Sequence, residues 1–267
     1  MSLFTAVLFY FGWASTDAET RALGLQDTLF HFSTADYLLR SVDALYLPVL
    51  TLAAASLAAM AGHEWLRHDP ERGERALRLM RHAWVPAVLL VPFSQFVPAL
   101  FDLLLPLAAL VGALLTAYAR TRRRRGQDAS MGTAGRPRAV LMWAPALLVA
   151  VVALFWAVYA YAGIVGRGRA AETAATVDDG FPAVVVFSRQ DLLIRGGGSC
   201  ASAVAVKDSP YRFRYAGLRL FYVSGDRLFL VPRHWAPWNG TLYVVREDSG
   251  LRVEYVSGRD YRTQECP

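Results

Sequence analysis

Three groups of residues in this chain have side chains that can do chemistry, and each is tested first by its spacing. His63, Glu64 and His68 are the types a zinc hydrolase uses. The zinc motif needs its two histidines four apart on one helical face. Here they are five apart, which turns the second about 140° away from the first at 3.6 residues per turn. No metal site is expected. His31, Ser33 and Asp36 resemble the parts of a hydrolytic triad, but a triad is a matter of three-dimensional roles, not closeness in sequence. Phe32-Ser33-Thr34-Ala35-Asp36 reads instead as a helix start, with Ser33 the N-cap and Asp36 three residues on. Gly196, Gly197 and Gly198 run into Ser199 and Cys200 without the Gly-Lys-Ser/Thr of a phosphate loop, so a flexible surface loop is the reading.

The charged residues leave two further leads. Asp102 opens an apolar run; an ionisable group within a membrane is a functional candidate, whereas one at the end of a span lies in the interface. Arg212 and Arg214 alternate onto one strand face. With Arg219 they form a candidate binding site for phosphate or carboxylate groups of lipids or wall polymers. The competing reading is a solvated strand face. Cys200 and Cys266 are the only cysteines, and both lie in the polar C-terminal part. Exported, they would form a disulfide; in a cytosolic domain they would be two free thiols.

What must position these residues follows from the hydropathy. Of 267 residues 55% are hydrophobic, and the mean hydropathy is +0.28. Long apolar blocks stop near residue 163, and short alternating runs follow. Two domains in different solvents are expected, 1–163 transmembrane and 164–267 extracytoplasmic. The net charge of +6 does not point to nucleic acid, because the arginines concentrate between apolar blocks: Arg67 to Arg81, then Arg120 and Arg122 to Arg125. Such segments stay cytoplasmic.

Five spans account for the apolar blocks: Leu3 to Trp13, Val42 to Gly62, about 80–96, 98–118, and Ala139 to Ile164. The third and fourth come from splitting Trp84 to Tyr118, since one helix of that length would be about 50 Å against a core of about 30 Å. Pro92 and Pro98 bracket the turn. The split also puts both arginine segments on the cytoplasmic side and the C-terminal domain outside. Ala54, Ala58 and Gly62 recur every fourth residue, either a face for close helix approach by a protein partner or a second copy, or a consequence of abundant alanine.

From Phe181 onward the pattern is strands. Ala183 to Phe187 is β-branched, and Leu218 to Val223 and Leu228 to Val231 flank Gly225-Asp226, a hairpin signal. Thr241 to Arg246 and Leu251 to Val256 look like a second pair joined through Asp248-Ser249-Gly250. The fold class expected is thus an all-α membrane bundle of about five spans plus a small β-rich extracytoplasmic domain.

Tyr10-Phe11-Gly12-Trp13, Phe32 to Ser41, and Tyr211-Arg212-Phe213-Arg214-Tyr215-Ala216-Gly217-Leu218-Arg219-Leu220 resemble segments of a group of uncharacterised polytopic membrane proteins of actinobacteria. The resemblance covers the first outer segment and the middle of the exported domain. It implies a helical bundle followed by an exported domain, and no activity.

These readings give a multi-pass envelope protein of the cell membrane, with the lipid bilayer as its surroundings and no cofactor. Its exported domain would bind a partner or an anionic envelope component and carry no catalysis. A channel or transporter subunit is the alternative, on the small-residue face and the prolines at 48, 86, 92, 98, 106 and 145. An enzyme acting on lipid-linked substrates is third.

Overall fold

The structure, a computed structural model, describes residues 3–30, 32–42, 44, 46–68, 70–92, 98–128 and 136–256. These form eight α-helices: α1 (Leu3–Ala22), α2 (Thr34–Val42), α3 (Tyr46–His68), α4 (Pro70–Met80), α5 (Val85–Leu90), α6 (Pro98–Asp128), α7 (Arg136–Ala175) and α8 (Val177–Gly180). Six strands follow: β1 (Ala183–Ser188), β2 (Cys200–Ala203), β3 (Phe213–Ser224), β4 (Arg227–Pro232), β5 (Tyr243–Arg246) and β6 (Leu251–Val256). The chain divides into two compact units, residues 1–14 with 35–164, and residues 15–34 with 165–267.

The expected bundle of about five spans is contradicted. Among the described residues two helical stretches are long and apolar enough to cross a membrane, Asp102–Thr121 in α6 and Ala144–Ala175 in α7. The third expected span, about 80–96, is broken at residues 81–84 by tight turn bonds such as Ala83 N–H to Met80 O. Pro86 explains the break. It has no N–H to continue the ladder, and it is tolerated only in the first turn of a new helix, where it stands in α5. At six residues α5 is about 9 Å long, far short of a bilayer core. The first expected span ends differently too. Helix α1 runs on to Ala22 with Ser15, Thr16, Asp17 and Thr20 buried, so its second half is polar. The turn read between Pro92 and Pro98 lies outside the described residues.

In the helical unit, rings lock α1 to α7: Phe11 stacks on Tyr161 at 5.7 Å, and Tyr10 meets Phe155 edge-on at 5.4 Å. The Tyr161 hydroxyl donates to Ala44 O at 3.2 Å. Helices α4 and α5 pack on α6. Most of the residues in these two stretches are not buried, and the buried ones are chiefly small, such as Ala113, Ala117, Ala153 and Ala157.

The other unit is an antiparallel sheet in the order β5-β4-β3-β1-β6, with β2 also paired to β3. Strand β3 is long enough for two neighbours along one edge, β2 against residues 213–216 and β4 against 218–224. One face carries a core of Val184, Val186, Ile194, Tyr215, Leu218, Leu228 and Leu230. Each large aliphatic there contributes roughly 1.5–3 kcal/mol. Part of the opposite face, at Val231, is covered by Leu23, Ala170, Val177 and Trp235. Phe30 belongs to this cover, 5.0 Å from Phe229 and 5.3 Å from Tyr222. Residues 15–34 thus supply part of the sheet's cover, although they stand some 150 residues before it.

The expected hairpin at Gly225-Asp226 is present as β3–β4. The second expected hairpin is not: β5 pairs with β4, and β6 pairs with β1. The triple glycine is an ordered turn, not a loose loop. Gly196 bridges Ser199, with Gly197 and Gly198 both at positive φ as a type I′ turn requires.

Candidate anion-binding face

The site is built by a bulge. Val184 pairs with Leu218 and Val186 with Tyr215, so two steps of β1 face three of β3. The extra residue lies beside Gly217, whose φ is +70 and where a Cβ would stand 2.2 Å from Gly198 O. A side chain there is excluded by both space and backbone. The bulge reverses the alternation, placing Tyr215 and Leu218 on the core face and Arg214 and Arg219 together on the other.

Their environments differ sharply. Arg219 is 1% exposed and belongs to the covered part of the face. Its Nε donates to Asp178 O at 2.8 Å, another guanidinium nitrogen pairs with the Asp178 carboxylate, and a third donates to Leu218 O at 3.3 Å. A buried guanidinium so committed holds α8 to the sheet and has no reach to an outside ligand. Arg214 is half-buried and Arg212 exposed, on the open part.

Register adds residues that alternation along one strand misses. Phe187 pairs with Arg214 on one side and with Arg252 on the other. The row Arg214–Phe187–Arg252 therefore crosses three strands on one face, its two arginines about 10 Å apart between backbones. The Phe187 ring lies 6.4 Å from that of Tyr211. Arg252 pairs with Glu254 at 2.8 Å while staying 62% exposed, and pairs of that kind exchange partners at little cost. Arginine forks beside half-buried rings suit a planar anionic group attached to an apolar or sugar-like body.

A second polar network anchors the loop before β2. The Tyr215 hydroxyl donates to Asp191 Oδ1 at 2.6 Å and accepts from Leu192 N–H at 2.7 Å. Arg195 pairs with the same carboxylate at 2.8 Å. The Tyr215 bond, followed by the Leu193 N–H, holds the Asp191 carboxyl below its ordinary value. Burial, then the bond to Asp191, pushes the Tyr215 phenol up to about 12. Both groups are committed to positioning the loop.

The remaining candidates separate. His63 Nδ1 meets the Tyr118 hydroxyl at 2.5 Å, while His68 bonds Glu64 O of its own helix. Among the described residues no His, Cys, Asp and Glu side chains gather to hold a metal. Helix α2 begins at Thr34, which leaves Ser33 at the N-cap position; His31 lies outside the described residues. Asp102 is exposed at the start of its apolar stretch. Cys200 stands on β2; Cys266 lies outside the described residues. Ala54 and Ala58 are exposed on α3, and no described atom comes within 4 Å of where a Gly62 Cβ would stand.

No family model, no curated protein and no solved structure matches this chain.

Proposed function

We propose that this chain is a non-catalytic envelope protein, held in the membrane by α6 and α7, whose sheet unit lies outside the cytoplasm and binds an anionic envelope polymer. The row Arg214–Phe187–Arg252, with Arg212 beside it, carries this reading. Orientation rests on charge. The last turns of α6 carry Arg120 and Arg122 to Arg125 at the end of its apolar stretch, and a basic segment between two spans stays in the cytoplasm. The strands, which follow the far end of α7 in the chain, then lie outside. An outside location also makes a Cys200–Cys266 disulfide chemically sensible. The open stripe Ala54, Ala58 and Gly62 is where a second copy would pack.

The test is retention of the purified full chain on washed, lipid-free wall fragments. Parent protein should be retained at low salt, and the Arg212→Gln, Arg214→Gln, Arg252→Gln variant should be retained at least tenfold less. Equal retention of the two would defeat the assignment and return these arginines to a solvated face.

A further inference from the structure

We propose that the outward face of α4 is a docking surface for the headgroups of anionic phospholipids. This rests on the membrane part of the reading above and concerns the other unit. Gly73 is buried and Ala76, Leu77 and Met80 are half-buried, which is the i, i+3, i+4, i+7 face that packs toward α3 and α6. The opposite side carries Arg75 and Leu79, at i and i+4, with Arg78 beside them, and Arg81 and His82 follow in the turn that ends the helix; all five are exposed. Leu79 is 78% exposed. A leucine so exposed between arginines is poorly placed in water and well placed at a bilayer surface, with its side chain at the acyl boundary and guanidinium groups at the phosphates.

The placement of α4 supports this occupant. Thr116 Oγ1 of α6 donates to Met80 O at 3.4 Å, and Gly112 lies against Ala83 O. The numbers run in opposite senses, so Arg75 and Leu79 lie toward the end of α6 where Arg120 follows. Trp84, 48% exposed, comes next in the chain and is of the type that sits at headgroup level. Glu74 pairs with Arg78 at 3.7 Å, but both are more than two-thirds exposed, and such a pair yields readily to a phosphate.

The experiment uses the full chain in vesicles of phosphatidylcholine with an equal share of phosphatidylglycerol. After detergent extraction, co-purified lipid is measured for the parent, for Arg75→Gln, Arg78→Gln, Arg81→Gln, and for the same three positions changed to lysine. Each basic group at an anionic surface is worth roughly a fivefold factor. The parent should retain phosphatidylglycerol in clear excess over phosphatidylcholine. The glutamine variant should lose that excess by more than tenfold at low salt, and the lysine variant should keep most of it. An unchanged excess in the glutamine variant overturns the proposal. A chain stripped from vesicles by alkaline carbonate overturns the membrane reading itself, which separates the two failures.

Discussion

Phe187 stands between Arg214 and Arg252, paired with the first across β1–β3 and with the second across β1–β6. The pairing makes an electrostatic site with an apolar centre, and the two parts respond differently to salt. Arg214→Gln with Arg252→Gln should weaken retention on wall fragments about tenfold at low salt. That difference should shrink toward zero near 1 M salt, where the screening length is about 3 Å. Phe187→Ala should show a smaller loss that persists at high salt. Binding isotherms at two salt concentrations check both.

Arg219 shares this face and has a different task. Asp178→Ala would leave a buried guanidinium short of its carboxylate, and should destabilise the sheet unit by roughly 1–3 kcal/mol. Arg219→Met, which removes the charge and keeps the bulk, should cost less. Denaturant midpoints of the two variants check the order. A larger loss from Arg219→Met would contradict it.

The Tyr215–Asp191 contact predicts an alkaline limit. A phenol pushed up from 10.0 to about 12 in the folded state contributes stability that is complete below pH 10 and lost as pH rises through about 12. Ultraviolet titration should show a late tyrosine ionisation to which Tyr215 contributes. Tyr215→Phe should remove both that contribution and its share of the alkaline loss. The Asp191 carboxyl, held low, works in the other sense, its contribution being lost as acid protonates it.

A Cys200–Cys266 bond would close a loop of about 66 residues, for which chain entropy allows roughly 4 kcal/mol before strain. It would serve as a clamp on the C-terminal tail. Mass analysis of the alkylated, non-reduced protein from its membrane should find no free thiol. Two alkylated cysteines would remove the clamp.

The parts of this fold legible in the sequence are the local ones. Gly225-Asp226 between apolar runs announces β3–β4, because the turn itself selects the pairing. Strands β5 and β6 are just as visible as segments, yet their partners β4 and β1 are set by the sheet and not by the Asp248-Ser249-Gly250 turn between them. That is why Arg252 and Phe187 escape notice while Arg212 and Arg214 do not. Arg219 is misplaced for a related reason: strict alternation ignores the bulge at Gly217, and composition cannot tell a buried arginine from an exposed one. Residues 15–34 average as polar, which hides Leu23, Phe30 and Phe32 among the side chains that reach the sheet. The count of spans fails because hydropathy measures what a segment is made of and not where its helix breaks, as it does before Pro86.

The most direct measurement of the account is where the sheet unit lies, and the sequence supplies its own probe. Lys207 is the one lysine in 267 residues, and it is exposed between β2 and β3. A membrane-impermeant amine reagent applied to intact cells, with the labelled site located by mass spectrometry, reads its side of the membrane. Lys207 should be labelled in intact cells to the same extent as in lysed ones. Labelling that appears only after lysis would contradict it.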